Sequence, residues 1–158
     1  MKKVLLLLVA VSFSFVSCDK NDDNQVVVET SPIHGKWEVK SFNAEATVNG
    51  TPIPDEDLDF NHVVGTVFEF KAGNTIAITT FDDFEEKWTT DTGTYVYYPS
   101  QNKVDCTMTD VEDGSKYTQT MNIKLLNATN YNFNVTEEEK DGGDVYKLSM
   151  DINCEKVK

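Results

Sequence analysis

The 158-residue chain has no arginine, only two histidines (His34 and His62), four prolines and three cysteines. With 14 Lys facing 27 Asp and Glu, its formal charge is −13. Such a surface repels a phosphate backbone, which excludes nucleic acid as a partner. Two His and no Cys-x-x-Cys offer too few N and S ligands for a zinc site. Neither His stands at a motif spacing from a nucleophile, so no catalytic residue, metal or cofactor is expected and the chain reads as non-enzymatic. Asp55, Asp57, Asp59 and Asn61 begin like a calcium loop, but the positions needing Gly and a bidentate Glu hold Phe60 and Thr66. No stretch of ten residues carries convincing helical amphipathicity, and there are no internal repeats.

Long hydrophobic runs are also scarce. The one present follows Met1, Lys2 and Lys3 and spans 4–16, apolar apart from Ser12 and Ser14. Its 13 residues fall short of the ~20 that cross a bilayer as a helix. A positive start, a short apolar core and the small Ser17 predict a secretory signal over 1–17. Phe15-Val16-Ser17-Cys18 resembles the lipobox of bacterial lipoproteins. That resemblance implies that Cys18 is lipidated and that the mature chain sits on a membrane without spanning it. Removing Lys2 and Lys3 would leave 12 Lys against 27 acidic residues, a charge of −15. The stretch 18–34 is then an acidic tether, opening Asp19-Lys20-Asn21-Asp22-Asp23-Asn24. It is similar to the acidic tag of surface-exposed lipoproteins, although any solvated linker has this composition. The expected location is the cell envelope, as an outer-membrane lipoprotein either surface-exposed or facing the periplasm.

From 35 to 158 the pattern has period two. Val104, Cys106 and Met108 alternate with Asp105, Thr107 and Thr109; Tyr131, Phe133 and Val135 share a face; so do Leu148, Met150, Ile152 and Cys154. This alternation, rich in Thr, Tyr, Val and Phe, predicts half-buried strands. Turn chemistry at 72–74, 99–102, 112–115, 127–130 and 141–144 divides it into eight: 35–48, 63–71, 74–81, 86–98, 103–111, 116–126, 130–138 and 144–156. The long connection 49–62 is expected to hold a short helical turn around 55–60. Short links between successive strands make a meander, and closing it hides both edges. The predicted fold is all-β, an eight-stranded antiparallel up-and-down barrel, whose interior is just wide enough for side chains or one small ligand.

Gly35-Lys36-Trp37 matches the Gly-x-Trp that opens the first strand of lipocalins. The run Phe68-Glu69-Phe70-Lys71-Ala72-Gly73-Asn74-Thr75, Trp88 followed by Gly93-Thr94-Tyr95, and Met121-Asn122-Ile123-Lys124-Leu125-Leu126-Asn127 resemble successive segments of bacterial lipocalin-like lipoproteins. The resemblance spans about 35–156 and implies a barrel whose typical use is holding a small hydrophobic or amphiphilic ligand. It brings no catalytic residue.

Strand alternation directs Phe68, Phe70, Trp88, Tyr95, Tyr131 and Phe133 to the interior, with Trp37 at a closed end, either as packed core or as the lining of a ligand pocket. Carboxylates at the hairpins would ring the other end and favour a neutral or cationic amphiphile. The rival reading is a filled barrel whose loops meet a protein or glycan partner. Cys106 and Cys154 stand either as a disulfide in an exported protein or as two buried thiols.

Overall fold

A computed structural model describes residues 31–54, 58, 62–82 and 85–158. The signal, Cys18, residues 18–30 of the tether and most of the expected 55–60 turn lie outside the described residues. Nine strands are present among them: β1 (Gly35–Val48), β2 (Thr51–Pro52), β3 (Val67–Lys71), β4 (Thr75–Asp82), β5 (Lys87–Tyr98), β6 (Lys103–Thr109), β7 (Lys116–Leu126), β8 (Asn130–Asp141) and β9 (Asp144–Lys156). Every pairing is antiparallel, β3 to β9 follow in chain order, and β1 pairs with both β3 and β9. Eight strands thus close into an up-and-down barrel, with β2 a short flap on the end of β1. No described helix is long and apolar enough to cross a membrane.

Alternation makes the strands, and the turns fix their register. Asp141 pairs with Asp144 across Gly142-Gly143, whose φ values are 57° and 102°. Two successive left-handed residues make the tight hairpin whose twist matches paired strands. That turn lets β8 run to Asp141, past the expected end at 138. Asn49-Gly50 does the same at φ 51° and 82°, folding the short β2 back on β1 within a stretch expected to be irregular. At the other limit, β3 starts at Val67 and not at 63. Thr66 N donates to the Val63 carbonyl at 3.2 Å, which makes 63–66 a turn.

The barrel core is one cluster. It joins Trp37 and Val39 of β1, Phe68 and Phe70 of β3, Ile76 of β4, Tyr95 of β5, Val104, Cys106 and Met108 of β6, Met121 of β7, Tyr131, Phe133 and Val135 of β8, and Ile152 and Cys154 of β9. Each large side chain so buried stabilises the fold by about 1.5–3 kcal/mol.

The structure resolves one alternative left by the sequence and corrects one expectation, the inward placement of Trp88. Cys106 and Cys154 are free, buried thiols, so the disulfide reading gives way to two small apolar core residues. They belong to β6 and β9, which β7 and β8 separate in the sheet. Trp88 is not in the core: it is 56% exposed. Its position differs from that of Tyr95 by an odd number, so on one strand the two point to opposite faces. Tyr95 takes the inner face, and Trp88 takes the outer one.

Candidate functional site

The two ends of the barrel differ. At one end, where β1 begins, the interior is packed shut. The Trp37 indole Nε1 donates to the Ile33 carbonyl at 2.8 Å, and the Lys156 ammonium lies 4.9 Å from the ring centroid. Above this plug the rings meet one another. Tyr131 contacts Trp37 at 5.7 Å, Phe70 at 5.8 Å and Phe133 at 4.7 Å between centroids. Phe70 contacts Tyr95 at 5.0 Å, and Phe68 contacts Phe133 at 5.4 Å. The structure therefore brings six of the seven sequence-selected rings, Trp37, Phe68, Phe70, Tyr95, Tyr131 and Phe133, into a single series of aromatic contacts. Edge-to-face and offset arrangements at these distances add about 0.5–1.5 kcal/mol per pair beyond burial.

At the other end the same inner faces become polar and reach solvent. Glu137 and Glu139 on β8, Tyr146 on β9 and Tyr117 on β7 are exposed where their strands' inner rows emerge. One depression of about 220 Å³ lies here against β1, β8 and β9, with Ile53 and Leu58 of the 53–66 connection facing Ala46, Tyr146 and Leu148. A second, of about 420 Å³, lies across the mouth against β4, β5 and the β6–β7 turn; His62, Phe81, Asp82, Asp91, Val111 and Glu112 are among its walls.

The second depression is built by hydrogen bonds that hold its acidic walls in place. Asp91 Oδ2 accepts from the Tyr117 hydroxyl at 2.8 Å, while its Oδ1 accepts from Val111 N at 3.0 Å. Burial first, and then this bond to Asp91, push the Tyr117 hydroxyl far above its usual pKa, so it remains a donor. Asp110 Oδ1 accepts from Glu112 N at 2.7 Å and closes the β6–β7 turn. Asp82 Oδ1 accepts from Glu85 N at 2.9 Å in the β4–β5 hairpin. These turns bring carboxylate oxygens of Asp82, Glu85 and Glu112 within 4.8 Å of one another. Lys87 pairs with Glu85, and that bond, joined by the fields of Glu85, Glu112 and Asp82, raises its pKa. Glu112 is shifted upward, first by desolvation and then by the charges of Asp82 and Glu85.

On the outer side of this rim Trp88 packs on Phe81 with centroids 5.3 Å apart. The two are direct cross-strand partners in β4 and β5. Phe81 also lines the depression, so the aromatic pair and the acidic walls are contiguous. Sequence reasoning singled out Trp88 but missed Phe81, Tyr117, Asp91 and Val111. The signal for Phe81 was present: it stands as far before the centre of the 82–87 hairpin as Trp88 stands after it. For Asp91 and Tyr117 no local pattern exists, because they come from strands joined only through β6. No family model matches the chain, and no curated protein matches it.

Proposed function

We propose that the chain is a lipid-anchored, lipocalin-like binding module of the bacterial cell envelope. It performs no chemistry and takes its partner at the open end of the barrel. The observation that carries this reading is the contrast between the two ends: the interior rings contact one another, whereas Trp88, Tyr117, Val111 and Tyr146 stand exposed at the other end beside carboxylates. Exposed apolar groups rimmed by polar ones mark binding surfaces. The anchor rests on Phe15-Val16-Ser17-Cys18, and the acidic tether after it, about 3.3 Å per residue when extended, gives the barrel reach from the membrane.

The full-length protein carrying a photo-cross-linking residue at Val111 or Tyr146 is expected to capture a partner in intact cells. The same residue at Val96, exposed near the closed end, is the control. Capture from Val96 alone would overturn the open-end reading. Cys18→Ala is expected to abolish fatty-acid labelling and to release the protein from membranes; unchanged labelling would remove the anchor.

A small amphiphile held inside the barrel mouth is the second reading. The depression of about 220 Å³ between Ile53, Leu58, Tyr146 and Leu148 favours it, since those walls are largely apolar. Leu148→Glu would place a charge on that floor; it is expected to abolish amphiphile binding while leaving capture from Val111 intact.

A further inference from the structure

We propose that the Phe81–Trp88 face and the adjoining acidic groove form a docking surface for an arginine-bearing segment of a partner protein. The inference rests on the open-end reading and names its chemistry. Three properties of the surface point to this occupant. First, Trp88 is 56% exposed and Val111 57%, so apolar area stands in water at the rim instead of in the core. An indole face in water attracts a guanidinium through its quadrupole, and arginine, being planar and weakly hydrated, stacks on it better than lysine does. Second, the groove beside it is acidic. Carboxylate oxygens of Asp82, Glu85 and Glu112 converge within 4.8 Å, and Glu85 pairs with Lys87. A planar fork that stacks on Trp88 presents its N–H donors to such carboxylates. Third, a second copy of this chain is not the occupant. It contains no arginine, and at −13 a second copy is repelled. Charge complementarity therefore selects a basic partner and not self-association.

The probe is a fluorescein-labelled peptide alternating Gly and Arg, titrated onto the full chain in EDTA buffer and followed by anisotropy. Binding should weaken as salt rises. The citrulline peptide, which keeps the shape and loses the charge, should bind about tenfold more weakly or less, and a Gly–Glu peptide should not bind. Trp88→Ala should cost about tenfold, in line with a desolvated cation–π contact. Glu112→Gln should cost several-fold without touching any hydrophobic contact, which guards against a Trp88 variant that fails to fold. Glu155→Gln, on exposed β9 at the closed end, should change nothing. Equal binding of the Arg and citrulline peptides would overturn the proposal. So would equal losses from Glu112→Gln and Glu155→Gln, or binding that appears only with added Ca²⁺. If the Arg peptide fails while Val111 still captures a partner in cells, arginine recognition falls and the open-end reading stands. If Val96 alone captures, both fall.

Discussion

The indole of Trp37 donates to the carbonyl of Ile33 at 2.8 Å in a place where both residues are wholly buried. The bond ties the segment leading into the barrel to its closed end. It also sets a graded test. Trp37→Phe keeps most of the volume but orphans the Ile33 carbonyl, which costs about 1–3 kcal/mol. Trp37→Ala adds a cavity and should cost about 3–5 kcal/mol. Urea denaturation should return that order, and a Trp37→Phe protein as stable as the parent would show that the bond is not what holds the plug.

Gly93 of β5 stands opposite Met108 of β6. A Cβ there would collide with the Thr107 carbonyl oxygen and lie 2.9 Å from both Cα and Sδ of Met108. Alanine in a strand otherwise gains about 0.5–1 kcal/mol over glycine. Overpacking against backbone costs about 1–3 kcal/mol and dominates. Gly93→Ala is therefore expected to destabilise by roughly 1–2 kcal/mol net in urea, and a neutral or stabilising result would mean that β6 moves freely away.

The two core thiols give the fold an alkaline limit. Burial pushes Cys106 up to about 12, helped by Asp105, and pushes Cys154 up to about 12 as well. Both folded values lie above the unfolded value of 9.0, so the folded state keeps protons that the unfolded chain releases. The stability they contribute is complete below pH 9.0 and is lost as the pH rises towards 12. The slope is about 1.4 kcal/mol per pH unit for each thiol. Cys106→Ala should flatten that slope; an unaltered slope would mean the thiols ionise without unfolding. In native protein both thiols should resist a thiol reagent, and both should react once the chain is denatured without reductant.

Trp88 should behave unlike Trp37. Its contact with Phe81 is a single cross-strand aromatic pair on the outer face, worth about 0.5–1.5 kcal/mol. Trp88→Ala should thus cost about 1 kcal/mol in urea and remove most of the fluorescence accessible to acrylamide. A loss as large as that of Trp37→Ala would place Trp88 in the core.

The alternating residues of 103–109, 116–126 and 144–156 determined by themselves that the chain forms strands, because the two-residue period of a pleated backbone is local. The short polar turns determined the meander in the same way, and the inner positions of Phe68, Phe70, Tyr131 and Phe133 followed from parity. The sequence reading placed Trp88 inside with Tyr95 against parity, because Thr89, Asp91 and Gly93, which share the face of Tyr95, carry no apolar signal that marks it as the inner one. The sequence reading already put Trp37 at the closed end, but tertiary structure alone decided how that end is shut. Closure requires Trp37, Phe70 and Tyr131 from β1, β3 and β8 to meet in one layer, and that depends on the register of the whole ring. It also decided that Cys106 and Cys154 stay thiols, since two strands stand between theirs, and that Asp91, Tyr117 and Glu112 gather beside Phe81. Such meetings join residues distant along the chain, and no local period encodes which strand ends share a rim.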